Sequence, residues 1–288
     1  MSPQFDVPFK MSHPTQVAVI TGAASGMGLA VTKHLLADGW RVVMADVDEK
    51  NGKAIAAELG SQALFCHVDV TSYLQQADLF KKAFSWGGDR LDLFAANAGI
   101  ADTQFLHEND YRYDESGTVI PLNLKAMDVN LTAVVQGIWL FKHYARQNKV
   151  PGGKIIITSS SAGLYHMPTN PIYTASKHAL VGLTRALGPV LNRQDIQVNA
   201  ICPAFVPTAL CPKEMLDQFP KEHITPMSTV IKAYDTFLGD NTLSGQTVEL
   251  SLDQLHFRTK PDYPNESQRW LAESSASFWE EAYKEPVS

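Results

Sequence analysis

Cysteines, an excess of cationic residues and long apolar runs are all lacking or scarce in this sequence. Its three cysteines, Cys66, Cys202 and Cys211, show neither an even count nor metal-ligand spacing, which predicts free thiols in a reducing, cytoplasmic compartment. The histidines show no such spacing either, so no metal is predicted. Because 24 Lys and Arg stand against 30 Asp and Glu, no basic surface for nucleic acid or anionic lipid is expected. No apolar run approaches the roughly 20 residues that span a bilayer.

The hydrophobic pattern predicts one large α/β domain. A chain of 288 residues with 45% hydrophobic residues is long enough for a sizeable core, and strand-like apolar runs alternate with helical patterns. The predicted fold is therefore a single-domain Rossmann fold, a doubly wound parallel sheet of about seven strands with helices on both faces. The predicted strands lie near residues 17–20, 41–45, 63–67, 91–95, 154–158, 197–201 and 247–250. The predicted helices lie near residues 27–38, 49–59, 73–84, 123–147, 172–187 and 228–238.

The two ends of the chain differ in composition from this pattern. Residues 1–14 are rich in proline and lack the apolar core of a secretory signal, which predicts an N-terminal arm on the surface. Residues 15–250 form the predicted catalytic domain. Residues 251–288 form a predicted extension that packs on the domain or on a neighbouring subunit, with a substrate lid as the alternative. Within it, an amphipathic helix over Ser267–Lys284 is predicted to place several of the aromatic residues on one stripe. These residues are Trp270, Phe278, Trp279 and Tyr283.

A glycine-rich turn follows the first predicted strand. Gly22, Gly26 and Gly28 allow the backbone to turn tightly and to approach a pyrophosphate, which the N-terminus of the next helix favours. Their spacing differs from the commoner G-x-G-x-x-G. Asp46 ends the second predicted strand, where an acidic residue accepts the ribose hydroxyls of an adenosine. Turn and aspartate together predict a dinucleotide site, with a helix cap as the alternative role for Asp46.

Tyr173 and Lys177 stand four residues apart on a predicted helix, and Ser160 precedes Tyr173 by thirteen positions. Residues with this spacing share one helix face, so we expect the ammonium group to lower the pKa of the tyrosine. Tyr173 then serves as general base for a hydroxyl or as general acid for a carbonyl, and Ser160 holds the substrate oxygen. Alone, the Tyr-x-x-x-Lys spacing is also that of a solvated helix face.

In their order along residues 15–250, these motifs resemble those of the short-chain dehydrogenase/reductase family. The sequence is most similar to its NAD-dependent 15-hydroxyprostaglandin dehydrogenase-like branch, through the segments that begin at Tyr173 and Ala200. Two positions depart from the family pattern, Ala96 before Asn97 and Ala204 after Pro203, and they bear on stability and cofactor positioning. The shared motifs are Thr21 to Gly28, Asp69-Val70, Asn97-Ala98-Gly99, Asn130, Ser160, Tyr173 to Lys177 and Pro203.

The resemblance implies an NAD-dependent enzyme that transfers hydride between NAD and a secondary alcohol or ketone. Tyr173 would exchange the proton, Lys177 would also bind the nicotinamide ribose, Ser160 would stabilise the oxyanion, and Asn130 would hold a water linking Lys177 to solvent. The family spacing selects Ser160 over its neighbours Ser159 and Ser161. The implied substrate contacts are Ser160, Asn170 and Tyr173. The implied cofactor contacts are Gly22, Ser25, Gly26, Met27, Gly28, Asp46, Val47, Asp69, Val70, Asn97, Gly99, Tyr173, Lys177, Pro203, Val206 and Thr208.

Three further expectations complete the prediction. The long acidic segment 100–124 is predicted to form a wall of the substrate site, with a solvated loop as the alternative. Helices near 123–147 and 172–187 resemble those that pair across the subunit interfaces of this family, and they imply a homodimer or homotetramer.

Two alternative functions remain, an NADH-dependent ketoreductase of specialised metabolism and a non-catalytic NAD-binding sensor. The intact Asn130, Ser160, Tyr173 and Lys177 argue against a sensor, which needs no proton relay.

Overall fold

A computed structural model describes residues 15–106, 108–109, 111–208, 210–211 and 213–282. The predicted N-terminal arm, residues 1–14, lies outside this range, as do Tyr283 and Lys284 at the end of the predicted C-terminal helix. The chain divides into two compact units, Met1–Phe257 and Arg258–Ser288.

The first unit is built on one eight-stranded sheet in the order β3-β2-β1-β4-β5-β6-β7-β8. Neighbouring strands from β3 to β7 are parallel, and β8 pairs with β7 in the antiparallel sense. The predicted doubly wound parallel sheet is therefore confirmed, and β8 is an additional edge strand. The strands are β1 (Val17–Thr21), β2 (Arg41–Asp46), β3 (Ala63–His67), β4 (Leu93–Ala96), β5 (Gly153–Thr158), β6 (Ile196–Pro203), β7 (Thr247–Ser251) and β8 (Gln254–Phe257).

Helices connect successive strands from β1 to β7. The predicted helix at 123–147 is interrupted by a π-helical turn, Asp128–Thr132, which divides α4 from α5. A short helix, α7, was not anticipated. The helices of the first unit are α1 (Gly26–Ala37), α2 (Glu49–Leu59), α3 (Tyr73–Trp86), α4 (Lys125–Met127), α5 (Ala133–Ala145), α6 (Pro171–Asn192), α7 (Lys213–Gln218) and α8 (Met227–Gly239).

Side chains alternate between two cores, one on each face of the sheet. Val17 and Val19 pack with residues of α3, α5 and α6, whereas Ala18 and Ile20 pack with residues of α1 and α8. All five residues of β1 are buried, as expected for a parallel strand that helices cover on both sides. Burial on both faces explains why these strands are near-continuous apolar runs, and it leaves the ends of the sheet as the place for polar chemistry.

The second unit contains two helices, α9 (Glu266–Glu273) and α10 (Ala276–Ala282). The prediction of one continuous helix over Ser267–Lys284 is wrong, because Ser274 has a non-helical backbone with φ −120° and ends α9. Serine favours helix ends because its hydroxyl competes for backbone groups, and the hydroxyl of Ser275 donates to the backbone carbonyl of Leu271 in α9. None of the helices in the described part of the chain combines the length and apolar character that a bilayer crossing requires.

Candidate active site

A cavity of about 410 Å³ opens at the carboxyl ends of the central strands. Strand order reverses there between β1 and β4, which is the position where open α/β sheets bind ligands. The lining includes every predicted cofactor contact except Gly28, Pro203 and Val206. Asn130, Ser160 and Asn170 also lie outside the lining. Ile100 belongs to the segment predicted as a substrate wall. The sequence reasoning did not name the other lining residues as contacts, Ala45, Val68, Ala98, Lys125, Val129, Thr158, Ser159 and Leu210.

The glycine-rich turn forms one wall of this cavity. Gly22 and Gly26 have φ values of 65° and 52°, which glycine adopts without steric cost. Gly28 acts differently, because a Cβ at this position would lie 2.2 Å from the Gly22 carbonyl oxygen and 2.7 Å from Nδ2 of Asn97. Gly28 therefore permits α1 to pack against the turn. α1 begins at Gly26, so its N-terminal amides, which favour anions, border the cavity.

Asp46 ends β2 beside this turn. Its Oδ2 accepts the N–H of Ala24 at 2.9 Å, and its Oδ1 accepts the N–H of Asp48 at 3.0 Å. The cap of α2 is Asp48, whose carboxylate accepts the N–H of Asn51 at 3.1 Å. The alternative role of Asp46 as a helix cap is therefore excluded, and its carboxylate lies in the cavity wall.

Two further polar residues fix the loops after β3 and β4. The Asp69 carboxylate accepts the hydroxyl and N–H of Thr71 at 2.7 and 2.9 Å, and these bonds lower the pKa of Asp69. Asn97 donates from Nδ2 to the Thr21 carbonyl at 3.0 Å and accepts the Thr158 hydroxyl at 3.3 Å. Asn97 thus links the ends of β1, β4 and β5 by hydrogen bonds and stabilises the cavity lining to which it belongs.

Asn130 lies in the π-helical turn and is fully buried. Its side chain clamps one peptide unit, accepting the N–H of Ile100 and donating to the Ile100 carbonyl, each at 2.9 Å. It also donates to the Ser176 hydroxyl at 3.1 Å. π-Turns inside helices occur frequently at functional sites, and here the turn places a buried amide against the loop that follows β4.

Lys177 is 3% exposed and lies on α6. Its Nζ donates to the Thr158 carbonyl at 2.8 Å, and burial lowers the pKa of Lys177 to about 8. Gly99 lies beside the ammonium group, since a Cβ at this position would be 3.4 Å from Nζ. Lys177, held in this way, is part of the cavity lining.

Tyr173 lies one turn before Lys177 on α6 and contacts the Ser160 hydroxyl. Burial raises the pKa of Tyr173, the hydrogen bond with Ser160 acts in the opposite direction, and the Cys211 thiol raises it further. The expectation that Lys177 lowers the pKa of Tyr173 is therefore wrong for the protein alone. Desolvation dominates, and the ammonium nitrogen of Lys177 is bonded to Thr158.

The neighbouring serine has a different partner. The Ser159 hydroxyl donates to the Lys177 carbonyl at 2.9 Å, so it fixes the β5 end against α6. The Ser160 hydroxyl accepts the N–H of Ala162 at 3.1 Å, and as an O–H donor it remains able to bond the phenol. Asn170 makes a local contact, donating to the Thr169 hydroxyl at 3.1 Å, and its role as a substrate contact stays a prediction.

The sequence reasoning also missed the function of Asp102. This residue lies in the segment predicted as a substrate wall, yet it is 9% exposed and accepts the backbone N–H groups of Ile172 and Tyr173 at 3.1 and 2.7 Å. The available signal was Pro171, since proline at the first helical position marks the start of a helix whose amides need acceptors.

Comparisons with known proteins agree with this geometry. A profile of the short chain dehydrogenase family matches residues 16–218. Short-chain dehydrogenase/reductase prx6 of Penicillium rubens is 32% identical over 282 residues, 93% of each chain. The NAD(+) 15-hydroxyprostaglandin dehydrogenase of Homo sapiens is 33% identical over 84% of this chain and 94% of its own. A 3-ketoacyl-(acyl-carrier-protein) reductase of Brucella melitensis, crystallised with NADH, shares the fold with a TM-score of 0.70 at 24% identity, covering 82% and 96% of the two chains.

Proposed function

The chain belongs to the short-chain dehydrogenase family, and from this premise we propose that it is an NAD-dependent oxidoreductase acting on a secondary alcohol or its ketone. One observation carries the proposal: Tyr173 and Lys177 line the cavity in which the glycine-rich turn and Asp46 also lie, and Ser160 bonds the Tyr173 hydroxyl. The NAD-dependent relative supports the choice of cofactor. When bound, NAD supplies the hydride acceptor, and NADH the donor.

The residues present fit a dinucleotide. The turn at Gly22 to Gly28 and the N-terminus of α1 accept a pyrophosphate, and Asp46 accepts the adenosine ribose hydroxyls. Lys177, which lines the cavity beside Gly99, would donate to the nicotinamide ribose. The remaining contacts follow the family pattern: Ser25, Met27, Val47, Asp69, Val70 and Asn97 toward the adenosine and pyrophosphate, and Pro203, Val206 and Thr208 toward the nicotinamide.

Tyr173 is the residue that transfers the proton. In oxidation the phenolate takes the hydroxyl proton of the alcohol, and in reduction the phenol gives a proton to the carbonyl oxygen. Ser160 donates to the substrate oxygen and stabilises the charge that develops on it. The side chain of Asn130 is committed to Ile100 and Ser176, and its role in holding a water beside Lys177 stays a prediction.

Reduction of a ketone is the second candidate, and one observation favours it. Burial raises the pKa of Tyr173, which disfavours the phenolate that oxidation needs and keeps the phenol that reduction needs. The same residues serve both directions by microscopic reversibility. A panel of apolar secondary alcohols with NAD, and of the matching ketones with NADH, followed at the NADH absorbance band, tests both. Binding of NADH without turnover of any member would favour the sensor instead.

The proposed assembly is a homodimer or homotetramer formed through α5 and α6. Val135 and Trp139 lie one turn apart on α5 and are 43% and 60% exposed. On α6, a Cβ at Gly182 would meet nothing within 4 Å, so this helix presents an open surface. Exposed apolar faces of this kind are typical of interfaces. The cytoplasmic location belongs to the same proposal, and the free thiols of Cys66, Cys202 and Cys211 support it.

A further inference from the structure

The N-terminus of α6 is capped by a residue 70 positions earlier in the chain. Asp102 accepts the N–H of Tyr173 on Oδ1 at 2.7 Å and the N–H of Ile172 on Oδ2 at 3.1 Å. The residue at the cap position itself, Asn170, makes no side-chain bond to the helix. Asp102 is 9% exposed, so its carboxylate is removed from water and held by the first turn of the helix that carries the tyrosine.

The same network reaches the other polar atom of the Tyr173 backbone. The Tyr173 carbonyl accepts the Ser176 hydroxyl at 2.7 Å, and that hydroxyl accepts Nδ2 of Asn130 at 3.1 Å. Asn130 in turn clamps both backbone groups of Ile100, two residues before Asp102. The loop that follows β4 therefore bonds the Tyr173 N–H directly, through Asp102, and is linked to the Tyr173 C=O through Asn130 and Ser176. The same loop lines the cavity.

A carboxylate suits this position for two physical reasons. Hydrogen bonds from backbone N–H groups to an ionised acceptor are shorter and stronger than neutral ones, as the 2.7 Å bond to Tyr173 illustrates. A negative charge at a helix N-terminus also interacts favourably with the helix dipole. Proton transfer requires its donor within about 0.5 Å of the productive position, so a fixed first turn matters more for Tyr173 than for most helical residues.

We propose that Asp102 is a positioning residue that holds Tyr173 in place for proton transfer. It acts through the backbone of α6 and contacts neither substrate nor cofactor. The inference rests on the proposed function, since it concerns the same tyrosine. It replaces the expectation that the start of segment 100–124 serves only as a substrate wall or a solvated loop.

Kinetics of two Asp102 variants and a matched control test the proposal. Asp102→Ala removes both acceptors and should lower kcat about 10- to 100-fold, while the KM for NAD changes less than about threefold, because Asp102 is not itself among the nucleotide contacts. Asp102→Asn keeps one oxygen acceptor and should recover part of that loss.

Asn148→Ala is the control. Asn148 is 7% exposed and lies away from the cavity, where its side chain accepts the Leu91 N–H at 2.9 Å and donates to the Leu91 carbonyl at 2.8 Å. It should lower the melting temperature and leave kcat within about threefold of the wild type.

Hydrogen exchange separates this inference from the proposed function. In Asp102→Ala the amides of Ile172 and Tyr173 should exchange faster than in the wild type, and in Asn148→Ala they should not. If the wild type turns over no alcohol or ketone, the proposed function fails, and the exchange data still decide whether Asp102 holds the first turn. If Asp102→Ala does not fold, Asp102→Asn carries both measurements. Unchanged exchange, unchanged kcat in either Asp102 variant, or an equal loss of kcat in Asn148→Ala would overturn the proposal.

Discussion

The ammonium nitrogen of Lys177 lies 5.5 Å from the centre of the Tyr173 ring. Its hydrogen bond goes to the Thr158 carbonyl at 2.8 Å. Burial lowers the pKa of Lys177 to about 8 and raises that of Tyr173 above its ordinary value of 10.0. As the pH rises, Lys177 therefore loses its charge before Tyr173 ionises. In the protein without cofactor, Lys177 contributes little positive charge at the pH where a phenolate would form.

The first prediction follows from this order of ionisation. Below pH 8 the protonated Lys177 repels the cationic nicotinamide ring of NAD⁺, and above it the neutral amine does not. The affinity for NAD⁺ should therefore rise with pH through this range, by roughly tenfold between pH 6.5 and 9.5. NADH has an uncharged ring and should show a smaller change. Calorimetric titrations with both nucleotides measure the difference.

Tyr173→Phe serves as the control for this prediction. The variant keeps Lys177, so it should keep the pH dependence of NAD⁺ binding. If the pH dependence of NAD⁺ binding disappears in Tyr173→Phe, the group that titrates is Tyr173 and not Lys177. Equal pH dependence for NAD⁺ and NADH would show that ring charge is not the cause.

The second prediction concerns proton transfer itself. Tyr173→Phe removes one oxygen and little volume, so the fold and NADH affinity should survive, while kcat should fall by about 10²–10⁴-fold. Tyr144→Phe is a matched control, because Tyr144 packs against Phe84 with ring centres 5.3 Å apart and does not line the cavity. Its kcat should stay near that of the wild type. Near-normal turnover by Tyr173→Phe would remove the tyrosine from its assigned role.

The third prediction concerns the choice between NAD and NADP. The Asp46 carboxylate should repel the 2′-phosphate of NADP, so wild-type kcat/KM should favour NAD. Asp46→Asn retains an oxygen that accepts the Ala24 N–H and removes the charge, and it should reduce the preference at least about tenfold. Asp48→Asn, at the cap of α2, should leave the preference intact. An equal preference in Asp46→Asn and the wild type would contradict the assignment.

Most of the fold follows from patterns within short segments. The strands and most helices are visible as apolar runs and periodicities, because burial on both faces of a parallel sheet imposes a continuous apolar strand. Strand β8 pairs with β7 in the opposite direction and has exposed residues at both ends, Gln254 and Phe257. Such a short edge strand has no comparable pattern. The break at Ser274 also depends on local hydrogen bonding rather than on apolar spacing.

The site was less accessible to sequence reasoning where it depends on distant contacts. Spacing together with the family resemblance predicted Tyr173, Lys177 and Ser160 as one group. Asp102 caps its helix from 70 positions away, a relation that no local pattern contains. The pKa of Tyr173 depends on burial, whose effect opposes that of the neighbouring charge. The sequence shows that a charged residue is near, but it does not show how deeply Tyr173 is buried.

The fourth prediction tests the close packing of α1 on the glycine-rich turn. Gly28→Ala would place a Cβ 2.2 Å from the Gly22 carbonyl oxygen, so the helix or the turn must move. NADH affinity should fall at least about tenfold, and the melting temperature should fall as well. Gly239→Ala is the control, since a Cβ there would meet nothing within 4 Å. It should leave NADH affinity unchanged and raise stability by up to about 1 kcal/mol. Normal NADH affinity in Gly28→Ala would contradict the close-packing argument.

The last prediction tests the proposed oligomer. Trp139 is 60% exposed on α5, one turn from Val135, and a stable interface would bury an aromatic residue of this size at its centre. Trp139→Glu would place a charge there, so light scattering at micromolar concentration should give a smaller mass than for the wild type. Val150→Glu changes a residue that is 81% exposed beyond the end of α5, and it should leave the mass unchanged. A monomeric wild type would refute the oligomer, and an unchanged mass in Trp139→Glu would move the interface away from this face of α5.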